Sequence, residues 1–158
     1  NLSMQIQGVY GNEIYNGVRV LTEGMMRLFN ADKKVLNAWT PENKNTDVPR
    51  AIDGDPNHNA RTSTRFVEDG SYLRIKNLTI SYNIPKNVIS STFKGMFTDL
   101  QVYVTGYNLL TFTKYSGYDP EIGASYIYSG GNATLLQGVD FGFYPQPRTI
   151  TFGINVSF

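Results

Sequence analysis

Four stretches of this chain alternate apolar and polar residues one by one. No other feature constrains the fold so tightly, because successive side chains on an extended strand point to opposite faces. The clearest stretch is the last, with Ile150, Phe152, Ile154, Val156 and Phe158 on one face and Thr149, Thr151, Gly153, Asn155 and Ser157 on the other. The first sets Leu2, Met4 and Ile6 against Ser3, Gln5 and Gln7. Another sets Leu78, Ile80, Tyr82 and Ile84 against Asn77, Thr79, Ser81 and Asn83, but its opening, Tyr72 to Lys76, runs in the opposite phase. A bulge near Asn77, or emergence from an apolar layer, accounts for that flip. The remaining stretch has Leu100, Val102 and Val104 against Gln101, Tyr103 and Thr105, and continues toward Phe112. Strands are therefore expected near 1–10, 71–84, 99–112 and 148–158.

The polar face points to the environment. Solvated strand faces usually carry Lys and Glu, which block edge pairing. Here the polar positions are mostly Ser, Thr, Asn, Gln and Gly, and charged residues make up only 17% of the chain. Small neutral polar groups suit the wet inside of a wide barrel whose apolar face meets lipid. A run of about eighteen apolar residues is absent, which excludes a transmembrane helix but not a transmembrane strand. The formal charge of +1 offers no field for nucleic acid. The absence of cysteine removes disulfides, thiolate metal sites and thiol nucleophiles.

Connection lengths alternate. Roughly sixty residues follow the first strand, roughly fourteen (Pro85 to Thr98) follow the second, and roughly thirty-five follow the third. Outer-membrane barrels have short periplasmic turns and long extracellular loops, which gives this order. The middle connection reads as a turn plus one or two helical turns. Within the first, Val20, Leu21, Met25, Leu28 and Phe29 fit one face of a helix over Asn16 to Phe29, weakened by Gly17 and Gly24; Asn37 to Thr64 reads as irregular loop. The chain opens in mid-pattern without an initiator methionine or leader, as the end of something longer would.

Chemistry-bearing motifs are few. Asp53-Gly54-Asp55-Pro56-Asn57 spaces oxygens as a calcium loop does, but His58 and Thr64 stand where glycine and glutamate are required, so an Asx-type turn is expected. His58 is the sole histidine and reads as a solvated loop residue. Glu68-Asp69 and Asp119-Pro120-Glu121 pair carboxylates without fixed geometry. No catalytic residue, cofactor site or metal site is expected. The aromatic connection from Lys114 to Arg148 offers flat, polar-tipped rings for sugar or peptide contact, or for packing and an interfacial girdle.

Three stretches resemble one family. Gly138 to Phe158, with Tyr144-Pro145-Gln146-Pro147-Arg148 leading into the closing strand, resembles the C-terminus of SusC/RagA-type TonB-dependent outer-membrane transporters. Phe66-Val67-Glu68-Asp69-Gly70-Ser71-Tyr72-Leu73-Arg74-Ile75-Lys76-Asn77-Leu78-Thr79 is similar to the start of that family's penultimate hairpin. Val104 to Glu121, with Asn108-Leu109-Leu110 and Tyr118-Asp119-Pro120-Glu121, matches a strand end and loop, and Trp39-Thr40-Pro41-Glu42-Asn43 adds a weaker match. The resemblance implies an all-β transmembrane antiparallel barrel, of which this chain holds the last four of about twenty-two strands, with long extracellular loops. The plug domain and TonB box would lie elsewhere.

The function implied is active import of oligosaccharides or peptides across the bacterial outer membrane. Implied partners are the rest of the barrel and plug, a SusD-like surface lipoprotein, TonB through the plug, the barrel-assembly machinery and lipid. Tyr115, Tyr118, Asp119, Tyr126 and Tyr128 are expected at the substrate or lid. Phe152, Ile154, Val156 and Phe158 are expected to form an assembly signal. A secreted β-sandwich that binds carbohydrate or mediates adhesion is the alternative, and a passive porin segment a third.

Overall fold

The computed structural model describes residues 1–24, 30–94, 96–123 and 137–158. It divides into two compact units. The first unit comprises Asn1–Tyr10, Ser71–Thr113 and Gln146–Phe158, and the second Gly11–Gly70 and Lys114–Pro145.

The first unit is one antiparallel sheet of four strands. These are β1 (Leu2–Val9), β4 (Tyr72–Asn83), β5 (Asp99–Thr113) and β7 (Thr149–Ser157), in the spatial order β1-β4-β5-β7. The sheet is open, with β1 and β7 at its edges. Register carries the alternation across all four strands. Leu2, Ile80, Val104 and Phe152 form one cross-strand row, and Met4, Leu78, Gly106 and Ile150 the next. Ser3, Thr79, Thr105 and Thr151 form a row on the opposite face. The apolar rows stay uncovered, with Phe152 78% exposed and Leu2 72%.

The polar face bonds to itself. Thr79 and Thr105 share a hydroxyl hydrogen bond of 2.9 Å. The Asn155 amide donates to Gln101 at 2.9 Å, and Gln101 donates to Asn83 at 2.7 Å. Such cross-strand pairs each contribute a few tenths to about 1 kcal/mol.

The phase flip in β4 is a bulge. Between the pairs Gln5–Asn77 and Ile6–Ile75, β1 advances one residue while β4 advances two, so Lys76 is the inserted residue of the bulge. Over the same step β5 advances from Tyr107 to Leu110, one residue more again. Asn108, inside that step, takes the left-handed conformation at φ 50°, which asparagine tolerates better than most residues. Ile6, Ile75 and Leu110 thus join the same apolar face as Leu2, Ile80 and Val104.

Helix α2 (Lys86–Phe93) links β4 to β5, follows Pro85, and ends at Lys94 in the left-handed conformation. It buries Ile89. Phe97 packs edge-on to Phe93 at 5.3 Å between ring centroids and tilts against Phe158 at 5.5 Å.

The second unit is built from short pieces. A three-stranded sheet orders β3 (Val67–Asp69), β2 (Glu13–Asn16) and β6 (Val139–Asp140), with β2 antiparallel to β3 and parallel to β6. Helix α1 (Gly17–Glu23) begins where the Asn16 side chain accepts the Arg19 amide at 3.1 Å. The helix expected over Asn16 to Phe29 therefore covers its first half; Met25, Leu28 and Phe29 lie outside the described residues. Ile14 and Phe66 are fully buried and centre the core with Val48, Ala60 and Tyr115.

Candidate functional site

In the second unit, polar and charged side chains gather around α1. Strand β3 alternates, so Glu68 turns inward while Asp69 stays exposed. The inward Glu68 carboxylate accepts the Ser116 amide and hydroxyl, both at 2.8 Å, the Arg19 guanidinium at 2.9 Å and the Asn16 amide at 3.1 Å. Burial pushes its pKa up, but the Ser116 and Arg19 bonds outweigh this and hold it below the usual carboxylate range. One turn along α1, Arg19 also grips Glu23 with two bonds, Nε at 2.7 Å and Nη2 at 3.0 Å. Glu23 is 2% exposed and meets Lys34 at 3.4 Å and Arg65 at 3.7 Å as well. Its carboxyl is also depressed: burial opposes ionisation, and Arg19 and Lys34 more than offset it.

Beside this network lies a cleft of about 390 Å³, lined by Arg19, Glu23, Asp32, Lys34, Ser116 and Tyr118 among others. Lys34 is the second residue of a short 3-10 helix, Lys33–Asn37, whose first turn is capped by Asp32 accepting the Lys34 amide at 2.8 Å.

The residues expected at a ligand separate into three groups. Tyr115 is buried, and its hydroxyl donates to Asp140 at 2.5 Å. Burial first, and then that carboxylate, raise the Tyr115 pKa. Asp119 is buried too and accepts the Glu121 amide at 2.9 Å. Tyr118 stands between them, 73% exposed at the edge of the cleft. Tyr126 and Tyr128 lie outside the described residues. Phe152, Ile154, Val156 and Phe158 all sit on exposed positions of the closing strand and its end.

The Asp53 to Asn57 loop is a turn. Asp55 accepts the Asn59 and Ala60 amides, both at 2.8 Å, one on each carboxylate oxygen. Among the described residues no group of three or more His, Asp or Glu side chains is arranged to hold a metal ion. Asp140, Glu23 and Arg19 carried no motif that marked them. The one available signal was strand alternation, which separates Glu68 from Asp69.

Comparison with known proteins gives the family context. No family model matches the chain. It is 40% identical over its whole length to TonB-dependent receptor P3 of Formosa agariphila, of which it spans 15%. It is 29% identical, over 61% of its length, to TonB-dependent receptor SusC of Bacteroides thetaiotaomicron, of which that match covers 8%. The RagAB peptide importer in its 'open-open' state superposes with a TM-score of 0.77 at 34% identity, over 99% of this chain and 15% of the solved one. The chain is thus homologous over its whole length to SusC/RagA-type TonB-dependent receptors and spans about 15% of them. That family consists of transporters, not enzymes.

Proposed function

We propose that this chain supplies four adjacent wall strands, the last of about twenty-two, and two surface loops of a TonB-dependent transporter. The whole protein imports oligosaccharides or peptides across the bacterial outer membrane, lidded by a SusD-like surface lipoprotein and driven by TonB through the plug. The sheet supports this reading most directly. The central cross-strand rows sort by face, Leu2-Ile80-Val104-Phe152 apolar and Ser3-Thr79-Thr105-Thr151 polar, and the apolar face is uncovered. Lipid is the environment in which such a face is favourable, and neutral polar rows suit a wet lumen. A β-sandwich would instead need a second sheet packed about 10 Å from that face.

Open edges support the rest. In hydrocarbon each unsatisfied edge amide costs several kcal/mol, so β1 and β7 require strands from the remainder of the barrel. Phe152, Ile154, Val156 and Phe158 present the alternating, aromatic-ended pattern of the proposed assembly signal. The test is membrane fractionation of the full-length protein with heat-modifiable migration on gels. Recovery in the outer membrane as a heat-modifiable species is expected; recovery as a soluble secreted protein would overturn the reading.

A further inference from the structure

Tyr118 is presented, not merely exposed. The residues around it are tied down: Tyr115 to Asp140, Ser116 to Glu68, and Asp119 to the Glu121 amide. A fixed backbone thus holds one uncommitted aromatic face at the edge of the cleft, and preorganisation of this kind lowers the entropic cost of binding. In the same lining, Lys34 is half-exposed and, among the described residues, its ammonium makes one long 3.4 Å contact to Glu23, which leaves it donors to spare. One Asp32 oxygen caps the Lys34 amide at 2.8 Å, which leaves the other as an acceptor among the described residues.

Deeper in the cleft the charges are already matched. Arg19 and Glu23 are joined by two bonds, and with Lys34 and Asp32 the lining holds equal numbers of cations and anions. An anionic ligand would meet Glu23 and Asp32; a cationic one would meet Arg19 and Lys34. A peptide captured by strand addition bonds through its main chain along a sheet edge, whereas this lining offers side chains. A flat aromatic face sharing its cleft with one charged donor and one charged acceptor suits a sugar ring, with its apolar face and vicinal hydroxyls. The volume of about 390 Å³ falls at the small end of ligand pockets, roughly 300–1,000 Å³.

We propose that this cleft holds one uncharged sugar residue of an oligosaccharide, stacked on Tyr118 and hydrogen-bonded by Asp32 and Lys34. The proposal rests on the uptake reading and narrows its substrate class to neutral glycans. The test uses the full-length receptor in detergent, titrated with neutral hexasaccharides (gluco-, xylo- and manno-configured), an oligogalacturonate of equal length, and uncharged hexapeptides. Expected results are binding of at least one neutral hexasaccharide, roughly tenfold weaker binding for Tyr118→Ala, retention by Tyr118→Phe, and further loss on adding Asp32→Asn and Lys34→Gln. Binding of only the acidic glycan or the peptides, binding of none of the probes, or an unaffected Tyr118→Ala would overturn the assignment. Recovery in the outer membrane separates the two failures. If the receptor is there but ignores neutral glycans, the sugar site falls and the transporter reading stands; if it is absent, both fall.

Discussion

Tyr103 and Gly153 are register partners on β5 and β7, and the tyrosine ring fills the space that any side chain at position 153 would need. A Cβ built there would lie 2.2 Å from the ring's Cζ. The glycine is therefore part of the tyrosine's packing, since an aromatic ring laid over a strand glycine restores the contact area that the missing side chain forfeits.

This pairing makes a prediction about coupling. Gly153→Ala should lower the unfolding midpoint of the full receptor, because the ring must swing away. Tyr103→Ala should lower it as well, by loss of packing. The double variant should cost less than the sum of the two, with an interaction energy of roughly 0.5–3 kcal/mol. Strict additivity in thermal or denaturant unfolding would show that the two side chains do not share that space.

The two faces of β7 make a second prediction. Ile154, opposite Val102, belongs to the uncovered apolar face, and Asn155, opposite Gln101, to the hydrogen-bonded polar one. Lysine at Ile154 near the midplane should destabilise the assembled barrel by roughly 2–4 kcal/mol, and lysine at Asn155 markedly less. Equal loss in a gel-shift unfolding assay would reject lipid as the environment of that face.

Sidedness is open to a chemical check. Asn57 and Lys86 are both exposed, the first in a long loop and the second at the start of α2. With long loops outward, an impermeant thiol reagent on intact cells should label Asn57→Cys and spare Lys86→Cys. The reverse pattern would turn the sheet over.

Acid should act on the second unit through Glu68. Its folded pKa lies below the ordinary carboxylate value of about 4.3. The stability it contributes is thus fully present above that value and is lost as pH falls through the folded pKa. Protection of the Ser116 amide against hydrogen exchange, in the full-length receptor, should be flat from neutrality to about pH 5 and fall below about pH 4. Glu68→Ala should remove that protection at all pH values and destabilise the unit by roughly 1–2 kcal/mol, since it takes the acceptor from the Ser116 amide and one of two carboxylates from Arg19, which keeps Glu23. An unchanged Ser116 amide in the alanine variant would contradict the geometry.

What could be read in advance follows from how far apart the partners lie. The four long strands announce themselves by alternation, and the opposite phase of Tyr72 to Lys76 left two readings, a bulge or emergence from an apolar layer, of which the register selects the first. In the second unit the start of α1 was legible, but the strands were not, because they hold two to four residues, too few for a period to register. Its defining contacts also join distant positions: Asn16 to Ser116 spans 100 residues, and Glu68 to Ser116 spans 48. Tyr115 and Tyr118 look alike in sequence. Only the presence of Asp140 beneath the first separates a buried ring from a presented one.

The extra residue at Lys76 has a consequence for how such a wall can change over time. It works as a frame shift within β4: residues on one side of it read odd-inward, those on the other even-inward. Removing that single residue would close the bulge and leave Ile75 and Leu78 two apart, the spacing at which an unbroken strand keeps both on the apolar face. Loss of a second residue would set them side by side and turn one end of the strand over. Length at this point can therefore fall by the one bulged residue and no further, so parity, more than side-chain identity, is what the wall has to preserve here.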